Sequence, residues 1–216
     1  MPAVDLATVP RDLNMMIARI GAIESYAKLE QSLCGLFASL MNAPIEKAAI
    51  VFFRLTNTHS RNYIIENLLQ KNHANKYDTY WYGNPHHKNG LLRLIRQLDG
   101  RRNEIVHWHG QLNIAFAGES YTTTEALVPP NLWSGNASSI STADLNEFIQ
   151  KADFVSRSIN MFNWMTSNTI TEPVGVGFDA ARATWLPIFQ QPVSYPPENT
   201  HPLSPNYTAP PHKTIV

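Results

Sequence analysis

One cysteine, Cys34, in 216 residues leaves no internal disulfide to staple the fold, and thiol usage this sparse fits a reducing compartment. Charge is equally restrained: 17 Lys and Arg balance 17 Asp and Glu, for a formal net charge of +0. No global basic field advertises nucleic acid, so any RNA contact has to be local. No apolar run approaches the roughly 18 residues that a membrane span needs, and Met1 to Asp12 lack the charged start and apolar stretch of a signal peptide. The expectation is a cytoplasmic protein with no membrane partner. Proline is plentiful but confined: nine of the 15 lie at or beyond Pro173, among few charges and no helical period. Residues 167–216 therefore read as an extended or disordered tail, and 11–166 as the folded domain.

What the domain does have is helical periodicity over a 44% hydrophobic composition, enough for a sizeable core. From Arg11 to Asn42 the positions Ile20, Ile23, Tyr26, Leu33, Phe37 and Leu40 predict one long amphipathic helix. Glu30 sits in that seam; it either flanks the seam and reaches solvent, or has a cationic partner in the core or across a dimer contact. Pro44 opens a second run from Ile45 to Lys71, which Thr56-Asn57-Thr58-His59-Ser60 should kink or split. A long stretch, Asn72 to Asn89, mixes Tyr77, Tyr80, Trp81 and Tyr82 with histidines; its rings either stack on unpaired bases or cover core. A third helix spans Gly90 to Trp108, with Gly110 as its terminator and Gly100 as a place where it could bend. Gln111 to Val128 alternates like a hairpin that turns at Gly118-Glu119-Ser120. Ser141 to Asp144 has the spacing of a capping box, and Leu145, Phe148, Ala152, Val155, Ile159 and Phe162 give the last helix a heptad face.

Chemistry concentrates at the end of the third helix, in Arg101-Arg102-Asn103-Glu104-Ile105-Val106-His107-Trp108-His109. Arginine presents a fixed fork of donors to a phosphate, and imidazole both takes and gives a proton near neutral pH. Asn103 and His107, four apart, share a helical face; Arg102, five before His107, is rotated away and must reach round, or the helix must bend. Arg101 to His107 and Arg102 to His109 are neighbouring registers of the same pattern. A metal site built from His86, His87, His107 and His109 is a rival, opposed by the lack of a carboxylate or cysteine at a familiar ligand spacing. A second rival is a helical dimerisation or RNA-binding module in which Arg102 and His107 are structural, one pairing Glu30 or Asp99 and the other satisfying a core hydrogen bond.

Two long helices, a helix ending in Arg-Asn-x-x-x-His and a final amphipathic helix together resemble the HEPN superfamily over about Ile17 to Thr166. Arg102, Asn103 and His107 match its Arg-x4-6-His motif, in which a polar residue often follows the arginine. The resemblance implies a mainly α fold, a four- to five-helix up-down bundle, here with a hairpin insertion and a Pro-rich tail. It also implies a metal-independent endoribonuclease with no cofactor, in which 2′-OH attack leaves a 2′,3′-cyclic phosphate. In that reading Arg102, Asn103 and His107 are catalytic, and Arg101, His109 and Glu30 are candidates for substrate binding. A homodimer would pair the active sites near the third helices or Gly100, and an antitoxin or regulatory protein would be a further partner in a defence or toxin-antitoxin setting.

Overall fold

The structure, a computed structural model, describes residues 13–74, 77–83, 90–117, 120–130, 138–167, 186–189 and 192–207. It is mainly α, with a single antiparallel hairpin among the described residues. The long helix α1 (Leu13–Leu40) packs chiefly on the last one, α6 (Thr142–Ser167). Its inward face is set by Met15, Ala18, Ala22, Tyr26, Leu29, Leu33 and Leu36, all buried. Two residues expected on that face are not there: Ile20 and Ile23 are 56% and 41% exposed and continue a stripe with Leu13, Met16 and Ile17. The helix is apolar nearly all round, so periodicity offered two faces. Small residues decided between them, because an added Cβ on Gly21 would lie 3.1 Å from Ile149 Cδ1, and only Ala and Gly let α6 approach so closely.

The second run is split as expected, into α2 (Ile45–Arg54) and α3 (Thr58–His73). Asn57 caps the second piece by accepting from the His59 N–H at 2.8 Å. Glu30 does have a cationic partner within the chain, Arg61 of α3. Arg61 also donates through Nε to the Leu55 carbonyl at 2.6 Å and stacks on the rings of Phe52 and Phe53, so one side chain holds the α2–α3 corner against α1.

A short helix, α4 (Asp78–Trp81), interrupts the stretch expected to be a loop. Tyr77, Tyr80 and Trp81 are buried against the core, with Tyr77 and Trp81 contacting the Phe162 ring, so these rings cannot stack on bases. His86 and His87 lie outside the described residues. The next helix, α5 (Leu91–His107), starts where Gly90 meets the backbone of Trp81 to Gly83; a Cβ there would come within 2.3 Å of three backbone atoms. The helix runs through Gly100 without a break and ends at His107, with Trp108 as its C-cap, close to the expected end.

Strands β1 (His109–Ala117) and β2 (Ser120–Val128) pair one for one, from His109 with Val128 to Ala117 with Ser120. Gly110 is thus a strand residue and not a helix terminator. Among the described residues, the base of the hairpin is bonded to the segment before α6 through Leu127 paired with Ile140. The capping box is present: the Asp144 N–H donates to Ser141 Oγ, and the Ser141 N–H and hydroxyl donate back to Asp144 Oδ2. All six residues expected on the heptad face of α6 are buried. The Pro-rich segment is not simply extended where it is described: Phe189 packs on Tyr80 and Phe162, and Tyr195 and His201 set their rings edge-on to Phe154. No single helix among the described residues is long and apolar enough to cross a membrane.

Gly100 is exposed, helical and has no neighbour within 4 Å of an added Cβ. Gly100→Ala should therefore raise stability by about 1 kcal/mol, read as a melting temperature roughly 2 to 4 °C higher. Hydrogen bonds from the Ser141 hydroxyl and N–H, aided by Arg101, hold the Asp144 carboxyl below its ordinary range against a smaller opposing effect of burial. A depressed pKa contributes stability that is present above the usual carboxylate range and is lost as pH falls. Asp144→Asn should be the less stable protein at pH 7, and its deficit should shrink in urea titrations taken from about pH 5 down to pH 3.

Candidate functional site

Helix α5 ends where Arg19 of α1 makes it end. The last turn of a helix leaves carbonyls without intrahelical partners. The Arg19 guanidinium bonds two of them and the C-cap carbonyl that follows, with Nε donating to Ile105 at 3.0 Å and Nη2 to Val106 at 3.0 Å and Trp108 at 2.9 Å. Trp108 then turns to extended backbone (φ −80, ψ 150) and the chain leaves as β1. His107 is exposed as the last helical residue, and His109 is exposed as the first strand residue. His109 therefore does not continue the turns of α5, because the helix has already stopped.

The two neighbouring arginines point apart. Arg101 faces α6, bonding Glu104 at 2.7 Å and approaching Asp144 at 4.0 Å. Arg102 faces α1, its guanidinium 5.5 Å from the centre of the Tyr26 ring. That ring is fixed in turn, since the Tyr26 hydroxyl donates to Asp99 Oδ1 at 2.8 Å. Burial first, then the charge of Asp99 and that hydrogen bond, push the Tyr26 hydroxyl well above its usual range, so it remains a donor.

On an unbroken helix Arg102 sits about 140° from His107 and Asn103 about 40° from it. Arg102 closes the gap by reaching round: its Nη1 donates to Asn103 Oδ1 at 3.1 Å. Half-buried Arg102 is thus joined to exposed Asn103, which shares a helical face with exposed His107 at the end of α5. Arg61, Arg96 and Arg101 each pair with a carboxylate. Arg102 has no such partner among the described residues; Glu30 is engaged by Arg61 and Asp99 by Tyr26. Its remaining donors are open to an anion.

Glu30 joins this site only indirectly, through its charge on Tyr26. No group of three His, Cys, Asp or Glu side chains suited to a metal is gathered among the described residues. Of the residues that support this site, the sequence left Arg19 unmarked, marked Tyr26 only as a seam position and Asp99 only as a possible ion-pair partner. A signal was there for two of them: Arg19 and Tyr26 are seven apart, one above the other on a helix that otherwise turns apolar residues inward.

Removing the Arg19 side chain leaves three carbonyls short of a charged donor. Arg19→Ala should lower unfolding free energy by about 2 kcal/mol in denaturant titration, and Arg19→Lys should recover only part, because one ammonium cannot reproduce the fork. Compared with models of protein families, with curated proteins and with solved structures, the chain matches none.

Proposed function

We propose that the helices form an up-down bundle of the HEPN type and that the Arg102, Asn103 and His107 surface is the site of a metal-independent endoribonuclease. The observation that carries this reading is the state of Arg102: held on an aromatic ring, tied to Asn103, and paired with no carboxylate among the described residues. Arg61, which holds helices together, is by contrast neutralised by Glu30.

RNA brings its own nucleophile. The 2′ oxygen attacks phosphorus, its proton passes to a base, the bond to the 5′ oxygen breaks, and that oxygen takes a proton from an acid. Arg102 stabilises the charge that grows on the non-bridging oxygens. His107 is the base, and Asn103, one turn before it, orients the ring or the phosphate. The acid is His109: two residues from His107, its Cα is at most about 7.6 Å away, close enough for both imidazoles to serve one phosphate. This assignment lets one chain hold both proton carriers. The product is a 2′,3′-cyclic phosphate.

The test is cleavage of a labelled RNA in excess EDTA, which should proceed. His107→Ala should lose a factor of about 100 to 10,000 in rate with RNA binding and melting temperature nearly unchanged. Arg102→Ala should lose both cleavage and binding, because it meets the phosphate in ground and transition states. Activity that dies on chelation and returns with zinc or manganese would sink the reading, as would a His107→Ala protein that cleaves like the parent.

A further inference from the structure

The hairpin carries an edge that the other described residues do not use. Strand β2 is met at its base by Ile140, whereas the outer edge of β1 has no strand beside it among the described residues. Proteins blunt such an edge with charge, proline, a bulge, shortness or a covering element. Strand β1 has none of the first four: nine residues, no Lys, Arg, Asp, Glu or Pro, and a register without a bulge. A two-stranded hairpin is marginal in water, and three or more strands are the usual remedy.

From this edge we infer that a second copy of this chain pairs β1 with β1, antiparallel about a twofold axis at Asn113, to form one four-stranded sheet. Backbone geometry selects the register. Ala117 and Ser120 close a two-residue turn and so are a bonded pair, and bonding alternates along the strand. Gly110, Leu112, Ile114 and Phe116 are left with N–H and C=O groups aimed away from β2. Full overlap of two β1 strands centres on Asn113 and sets Leu112 against Ile114 and Gly110 against Phe116, outward-aimed residues against outward-aimed residues. A slip of one residue would spoil every bond.

Side chains agree with that register. Leu112 and Ile114 give two apolar cross-strand pairs on the half-buried face, and Asn113 meets its own amide on the other. No like charges meet, whereas a β2 edge would bring Glu125 of each copy into the contact. Gly110 is otherwise unexplained: its φ is not positive, and a Cβ would meet nothing within 4 Å. In the dimer it lies under the partner's ring at position 116, and Phe116 is 52% exposed in the single chain.

Light scattering at tens of micromolar should report a dimer. Asn113→Cys should cross-link to itself under mild oxidation, because an unbonded antiparallel pair brings Cα atoms to about 4.5 Å, within disulfide range. Gln111→Cys, facing Ala115, should not, and buried Cys34 should leave the parent protein uncross-linked. Leu112→Pro should weaken the dimer at least tenfold while the circular dichroism spectrum is kept, since proline there removes an outward N–H only. A monomer at 100 μM would overturn the proposal. So would a dimer in which Asn113→Cys fails to cross-link, or one that Ile20→Lys on the exposed stripe of α1 disrupts and Leu112→Pro does not. Should Leu112→Pro fail to fold, the exposed Asn113 position decides alone.

Discussion

The geometry at the end of α5 depends on one guanidinium. Arg19 gathers the carbonyls of Ile105, Val106 and Trp108, and in doing so fixes where a helix becomes a strand. The same contact sets three things at once: His107 on the last turn, His109 on the first strand residue, and the take-off of the hairpin from the body. It also ties them to α1, the helix whose Tyr26 carries Arg102. Both the charged surface and the projecting hairpin therefore take their placement from one face of α1, and that face is built from residues 19 and 26.

The arginines of this molecule divide into those whose donors are taken up and one whose donors are mostly open. Arg61 is nearly buried and saturated: it has a carboxylate, a carbonyl and two rings. Breaking such a pair strands a buried charge, so its role is to hold helices together. Arg19 spends its donors on carbonyls, and Arg101 spends its own on Glu104. Arg102 alone of these four sits on a platform with most donors unspent, which is the arrangement that a transient anion requires.

Element types were legible because the patterns are strong: the capping box at Ser141, the split at Asn57 and the alternation of Leu112, Ile114 and Phe116 all took the expected form. Burial faces were less so. Ile20 and Ile23 have the right spacing for a core seam, yet α6 chose the side with Ala18, Gly21 and Ala22, a decision made by close packing between helices far apart in sequence. Arg102, Asn103 and His107 could be grouped from spacing as a candidate site. Arg19 and Asp99 could not, since their roles exist only once α1 lies across α5. The first strand was expected from Gln111 and begins at His109, so the two histidines flank the helix-to-strand turn at Trp108.

Separation in sequence has a further consequence. The partner of α1 is α6, and their contacts join residues such as Ser32 and Ser156, or Met15 and Thr142, more than 120 positions apart. On a ribosome adding about 5 to 20 residues each second, the span from Leu40 to Ser167 takes roughly 6 to 25 s. Through that interval a 28-residue helix with apolar side chains on nearly every face has no α6 to lie against. Contacts this distant also slow the closing step, because loop entropy is spent before the helix pair forms. The newborn chain is thus most exposed to aggregation, and most in need of a chaperone's shelter, in the seconds before its last helix emerges.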